Sequence, residues 1–330
     1  MKRIILLMSA VIAAVSAFSC QKTDDLVGAA GKDATMVTLT VNVPSANTKA
    51  TTETEKVSVG AEVDVLYYEV WNADTTRKLF PKNPGELASV PVSGNTASIE
   101  LSLVSAQKYT FILWAQNEDC GAYNVSDLTK VGIDYSVITD NGNEDAFDAF
   151  YKVERVEVLP SKTYPPIVLR RPFAQLNFGA SVMNTDLGPI ELGNTYVKVA
   201  RLSKVFDTLT GKGDIAAENI VTDVIFEAAG RVSDTEGAEA VTLNTNNTDY
   251  AWISMNYMLM AEESDAVDVT ATFDIVGIGS VSHFITNVSI MKNFRTNIVG
   301  DLFTSDAVLE ILVDPAFDPT GDILVTAPQL

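Results

Sequence analysis

The chain has 330 residues, with 43 acidic against 23 basic side chains and a formal charge of −20. That balance excludes a nucleic-acid binder, which needs clustered Lys and Arg to neutralise phosphates. One histidine and two cysteines exclude multi-histidine metal sites and a disulfide-built scaffold.

Met1 to Ser19 reads as an export signal, with Lys2 and Arg3 at its charged end and Ile4 to Phe18 apolar or small. Its loss takes the formal charge from −20 to −22, because Lys2 and Arg3 go with it and no acidic residue does. Ala17-Phe18-Ser19-Cys20 resembles a bacterial lipobox, which makes Cys20 the expected lipid-bearing N-terminus of the mature chain. If Cys20 carries lipid, Cys120 is the only thiol left and stability must come from packing. The polar stretch Gln21 to Asp25 resembles the surface-export signal of Bacteroidetes lipoproteins. No later stretch is long and apolar enough to span a membrane as a helix.

Met36 to Val43 alternates strictly, with Val37, Leu39, Val41 and Val43 on one face and Thr38, Thr40 and Asn42 on the other. A period of two in β-branched residues predicts a half-buried strand. Pro44 ends it. Ser45 to Lys56 then holds no large apolar residue and is expected to be a solvated, cuttable loop with Lys49 in its middle and Lys56 at its end.

Strands are predicted at Val63–Trp71, Ala97–Val104, Tyr109–Ala115 and Arg155–Leu159, with a long polar connection over 117–143. Tyr109 to Ala115 is apolar on both faces, as in a central sandwich strand. Pro165-Pro166 interrupts the pattern and marks a domain boundary. A second series follows from Ile167, with alternation over 173–178. Further strands are expected at Thr195–Leu202, Ile220–Phe226, Glu239–Leu243, Tyr250–Met258, Val267–Ile275, His283–Ile290, Val308–Val313 and Ile323–Val325. No helix of three turns is predicted. Short strands at regular spacing between Gly, Asn and Asp turns point to all-β sandwiches.

Several segments carry a family resemblance. Tyr109 to Asn117, Asp148-Ala149-Phe150-Tyr151, Leu169 to Gly179 and Asn293 to Thr304 resemble, in that order, segments of the Bacteroidales fimbrillins. The resemblance implies a type V pilin-like lipoprotein precursor with two antiparallel transthyretin-like β-sandwich domains. The expected order is a lipoprotein signal peptide over 1–19 and a lipidated linker over 20–35. An N-terminal sandwich over 36–168 and a C-terminal sandwich over 169–330 follow. The family's cycle implies that an outer protease, cutting here at Lys49, removes the first strand. A C-terminal donor strand of a neighbouring subunit then fills the vacated groove. Here the displaced positions would be Val37, Leu39, Val41 and Val43, and the donor positions Val308, Leu309, Ile311 and Val313, with Ile323 to Val325 as a second donor candidate.

The implied partners are other copies or related fimbrial subunits, outer-membrane lipid through Cys20 and a host surface receptor. No cofactor, metal or catalytic residue is expected. A monomeric surface lipoprotein binding a host glycan or protein is the alternative reading. His283 lies in a strand-like stretch with no cysteine near it in sequence, and Cys120 has acidic neighbours, so neither resembles a catalytic group. The acidic runs 140–145 and 314–322 lack EF-hand spacing. Gly211-Lys212-Gly213 lacks the strand–loop–helix context of a phosphate cradle. Tyr67, Tyr68, Trp71 and Trp114 read as core aromatics before they read as a sugar platform. Asp74-Thr75-Thr76 and Asp207-Thr208-Leu209 fit a loose O-glycosylation pattern.

Overall fold

The computed structural model describes residues 34–44, 60, 62–83, 85–140, 142–185, 188–233, 240–262, 264–304 and 307–314. Cys20, Lys49, Lys56 and Ile323 to Val325 lie outside the described residues. The fold is 61% strand and 6% helix, the all-β sandwich class expected from the alternation. Among the described residues the one α-helix is Tyr135–Asp140, six residues long.

The N-terminal part is a three-layer stack. Its first layer is a three-stranded sheet in the order Ile167–Val168, Ala34–Asn42, Thr96–Val104. The second layer runs Lys78–Phe80, Val65–Asn72, Gln107–Gln116, Phe150–Val158, with Ala88–Pro91 also on Val65–Asn72. Leu66, Tyr68, Val70, Phe111, Leu113 and Ala115 meet the first layer and bury Val37, Leu39, Val41 and Val43 in one cluster. The third layer is a small sheet that joins Tyr123–Asn124 and Lys130–Ile133 to Val205–Asp207 and Lys212–Gly213.

This third layer explains why Tyr109 to Ala115 is apolar on both faces. Trp114, on the far side from the first layer, contacts Tyr123 and Phe206 at ring centroid distances of 5.5 and 6.1 Å. The 117–143 connection is therefore not a plain polar loop. Its strands are two and four residues long, and its partner Val205–Asp207 lies far along the chain, so no local period reveals them.

The C-terminal part is a two-sheet sandwich. One sheet runs Thr242–Thr245, Thr248–Met258, Ala174–Ala180, Arg295–Gly300, Leu309–Asp314. The other runs Ile220–Ala229, Leu192–Ser203, Ser264–Ile275, Gly279–Met291. Phe178 and Phe273 meet edge to face between them at 5.8 Å. Asn143 closes an edge: its amide donates to the Ile253 carbonyl at 3.2 Å and accepts from the Met255 N–H at 2.8 Å, replacing a missing strand.

The two parts meet at a buried ion pair. Arg171 Nε lies 2.7 Å from Asp148 Oδ1, and Arg171 Nη2 lies 2.7 Å from Asp148 Oδ2. Arg171 also stacks on the Phe150 ring at 4.5 Å. Burial pushes the Asp148 carboxyl up, and the Arg171 charge beside it acts in the opposite direction. Tyr151 and Arg170 exchange backbone hydrogen bonds of 2.8 and 3.0 Å, so Asp148 to Tyr151 and Leu169 to Arg171 form one junction.

Candidate functional site

The first strand, Ala34–Asn42, fills a groove whose long edge is Thr96–Val104. Pairing there is antiparallel over all nine residues, from Ala34 opposite Val104 to Asn42 opposite Thr96. On its other side only Val41 and Asn42 pair, in parallel, with Ile167 and Val168. Val43 N–H then bonds to Asn95 O at 2.9 Å, and Leu169 N–H to Asn42 O at 3.0 Å.

The alternation seen in the sequence is realised in the burial. Val37, Leu39, Val41 and Val43 are buried, whereas Met36 is 67% exposed. Four such side chains carry about 6–12 kcal/mol of burial, at about 1.5–3 kcal/mol each. That is comparable to the net stability of a domain, about 5–15 kcal/mol. Beneath the groove lies Tyr68, whose hydroxyl burial pushes up to about 12, so it stays neutral.

The strand is joined to the rest of the chain only through 45–59, and the two described ends of that segment meet. Gly60 has φ +68°, and a Cβ there would sit 2.9 Å from the Phe150 ring and 3.2 Å from the Pro44 carbonyl. Both the left-handed backbone and the close approach require glycine. Gly60→Ala is expected to lower stability by about 1–3 kcal/mol, the usual range for overpacking. Chemical denaturation checks this, and an unchanged midpoint would show that the contact relaxes freely.

At the other end of the chain, Leu309–Asp314 pairs antiparallel with Arg295–Gly300, from Leu309 opposite Gly300 to Asp314 opposite Arg295. Among the described residues it is an edge strand. Leu309, Ile311 and Leu312 are half-buried against the C-terminal core, and Val308, just before the strand, is 87% exposed. The sequence places Ala307, Leu309, Ile311 and Val313 in the same alternation as Val37, Leu39, Val41 and Val43. The strand Arg295–Gly300 was missed by sequence reasoning, because Arg295, Thr296 and Asn297 are polar yet buried and mask the period.

The remaining chemistry-bearing residues are held elsewhere. His283 Nε2 lies 2.8 Å from the Leu302 carbonyl in the C-terminal sandwich. Burial pushes the Cys120 thiol up, with Asp64 and Asp119 adding to the effect. Tyr68 and Trp114 are buried, and Tyr67 and Trp71 pack against the third layer. Thr208 is buried and donates to the Leu128 carbonyl at 2.7 Å, which makes it unavailable as a sugar acceptor, whereas Thr76 is exposed on a turn held by Asp74. Lys212 pairs with Glu262 across the surface.

A family model matches residues 29–326, almost the whole of this architecture. The chain belongs to DUF6562, a family of unknown function. No curated protein matches the sequence. Among solved structures, this DUF6562 chain is similar to the tip fimbrial protein Mfa3 of Porphyromonas gingivalis with C-terminal truncation. That pair is 11% identical over 85% of this chain and 99% of the other, with a TM-score of 0.47. A candidate cell adhesion protein of Bacteroides ovatus is 9% identical over 85% and 97%, with a TM-score of 0.49. A fimbrial assembly protein of Parabacteroides distasonis is 15% identical over 85% and 96%, with a TM-score of 0.37. At this distance none of the three assigns a role to any residue of the DUF6562 chain.

Proposed function

We propose that this DUF6562 chain is a structural subunit of a surface fimbria, exported as a lipoprotein precursor and assembled by protease-triggered donor-strand exchange. The observation that carries the reading is the first strand. It is fully integrated into the N-terminal core, yet a single cut within 45–59 would leave it held by non-covalent contacts alone. A sandwich that loses it has a bare groove and two open strand edges, which an incoming strand can satisfy.

The donor by pattern is 307–313, because its alternation matches the groove. In its own sheet this segment is half-buried at an edge. In the groove of another copy the same side chains would take positions that are buried almost completely, so the transfer gains burial. The role is structural and not catalytic. Cys20 carries the lipid, Lys49 is the cleavage residue, and the assembled fibre stands at the cell surface and supports adhesion.

The test is protease treatment followed by size-exclusion chromatography. Wild type should give oligomers after cutting. A chain with Lys49→Ala and Lys56→Ala should stay a folded monomer, and Ile311→Asp should be cut but fail to assemble, since an unpaired buried carboxylate costs far more than the methylenes it replaces. Identical profiles for all three chains would remove strand exchange from the account.

A further inference from the structure

The far end of the C-terminal sandwich, away from the Arg171–Asp148 junction, carries a run of exposed apolar side chains. Ser181 N–H bonds to Gly300 O at 2.8 Å, Ile190 N–H to Met183 O at 2.9 Å, and Val276 N–H to Glu191 O at 2.9 Å. These bonds tie one rim together, from the end of Arg295–Gly300 to the hairpin tip at 276–278. On it Val276 is 54% exposed, Ile278 49% and Val182 45%. Glu191 is exposed beside them, and Asp274 stands two residues before the tip on the same hairpin. In a surface otherwise rich in carboxylates, such a patch marks a contact.

We infer that this rim docks on a second copy of the chain, against the far end of its N-terminal sandwich. The inference deepens the strand-exchange reading and rests on it. A donor that replaces Ala34–Asn42 must run antiparallel to Thr96–Val104, and so enters at the Val104 end. That end is the turn at 105–106, from which Gln107–Gln116 returns opposite Val158. It displays Lys108, Lys162 and Leu159, all exposed, with the exposed Glu157 directly opposite Lys108.

The connector sets the distance. Phe303 is buried in the C-terminal core, 5.9 Å from Phe273, and Ala307 is the first residue that would enter the groove. Four Cα steps separate them, which span at most about 14 Å. A donor on so short a tether can reach a groove only if the two ends abut. Two lysines outnumbering Glu157 on one end and the carboxylates of Glu191 and Asp274 on the other, around apolar centres, match in charge and in character.

The experiment compares assembly rates of protease-cut chains by light scattering. Val276→Lys with Ile278→Lys sets like charges against Lys108 and Lys162 and should slow assembly on the order of tenfold. Adding Lys108→Glu and Lys162→Glu to that chain should restore the rate. All four sites are exposed, so the uncut chains should melt close to wild type, with a small loss where Lys108→Glu faces Glu157. If wild type assembles and the variants match its rate, or if the combined chain is not restored, the docking face is wrong and strand exchange stands. If cut wild type does not assemble at all, the strand-exchange reading falls and this face falls with it.

Discussion

Cutting within 45–59 and stripping away the freed strand should turn a stable monomer into one whose N-terminal core no longer holds. The burial on Val37, Leu39, Val41 and Val43, about 6–12 kcal/mol, is as large as the whole margin of a typical domain. The loss also opens the nine-residue edge of Thr96–Val104. Melting followed by near-ultraviolet circular dichroism should show the cooperative transition before the cut and its loss after the strand is stripped. Adding a peptide of residues 34–44 in excess should bring the transition back, because the groove would be filled again. A stripped chain that melts like the intact one would mean that the core closes over the gap.

The second large effect is expected at the junction. Arg171→Met removes the cation hydrogen-bonded to buried Asp148 and leaves only the charge of Arg295 acting on it, and breaking a buried pair on one side costs about 3–5 kcal/mol. In a chain of 330 residues, at about 2.1 cal/mol/K of unfolding entropy per residue, that lowers the melting temperature by roughly 4–7 °C. Asp148→Leu alone should cost a similar amount. The double variant should be much less destabilised than the sum of the two, because neither member of the hydrogen-bonded pair is left facing an empty place. Additive losses would show that the two side chains act independently and that their 2.7 Å contacts contribute little.

Much of the first-strand site could be read from the sequence, for a physical reason. Met36 to Val43 has one face in the core and one in solvent, so its burial prints directly as a period of two. The same holds for Thr96–Val104, whose alternate residues Ala97, Ile99, Leu101 and Leu103 are buried. Where both faces are covered, the period disappears. Ala174–Ala180 is buried throughout, and its outer face holds Gln175 and Asn177; the Asn177 amide donates to Gln175 Oε1 at 3.1 Å and to Asn297 Oδ1 at 2.8 Å. Polar side chains that hydrogen-bond one another in the interior look like a polar loop in one dimension.

The segment 118–147 was illegible for a different cause. Tyr123, Val131, Tyr135, Ile138 and Phe147 join the large C-terminal cluster, so what shapes them lies elsewhere in the chain. The motif stretches Asp148 to Tyr151 and Leu169 to Arg171 stood out by resemblance, and the structure gives them a packing role at the junction.

The most direct test asks which strand lies beside Thr96–Val104 in assembled material. In the precursor Thr40 stands opposite Ser98. If Ala307, Leu309, Ile311 and Val313 take the places of Val37, Leu39, Val41 and Val43, Glu310 comes to stand opposite Ser98. A chain with Ser98→Cys and Glu310→Cys, with Cys20→Ala and Cys120→Ser to remove the native thiols, should stay monomeric on a non-reducing gel before cutting. After cutting and oxidation it should give a ladder of disulfide-linked multimers, and either single cysteine should give none. Assembly by size-exclusion chromatography with no disulfide ladder would contradict this donor register, and a ladder of equal yield before and after the cut would contradict exchange itself.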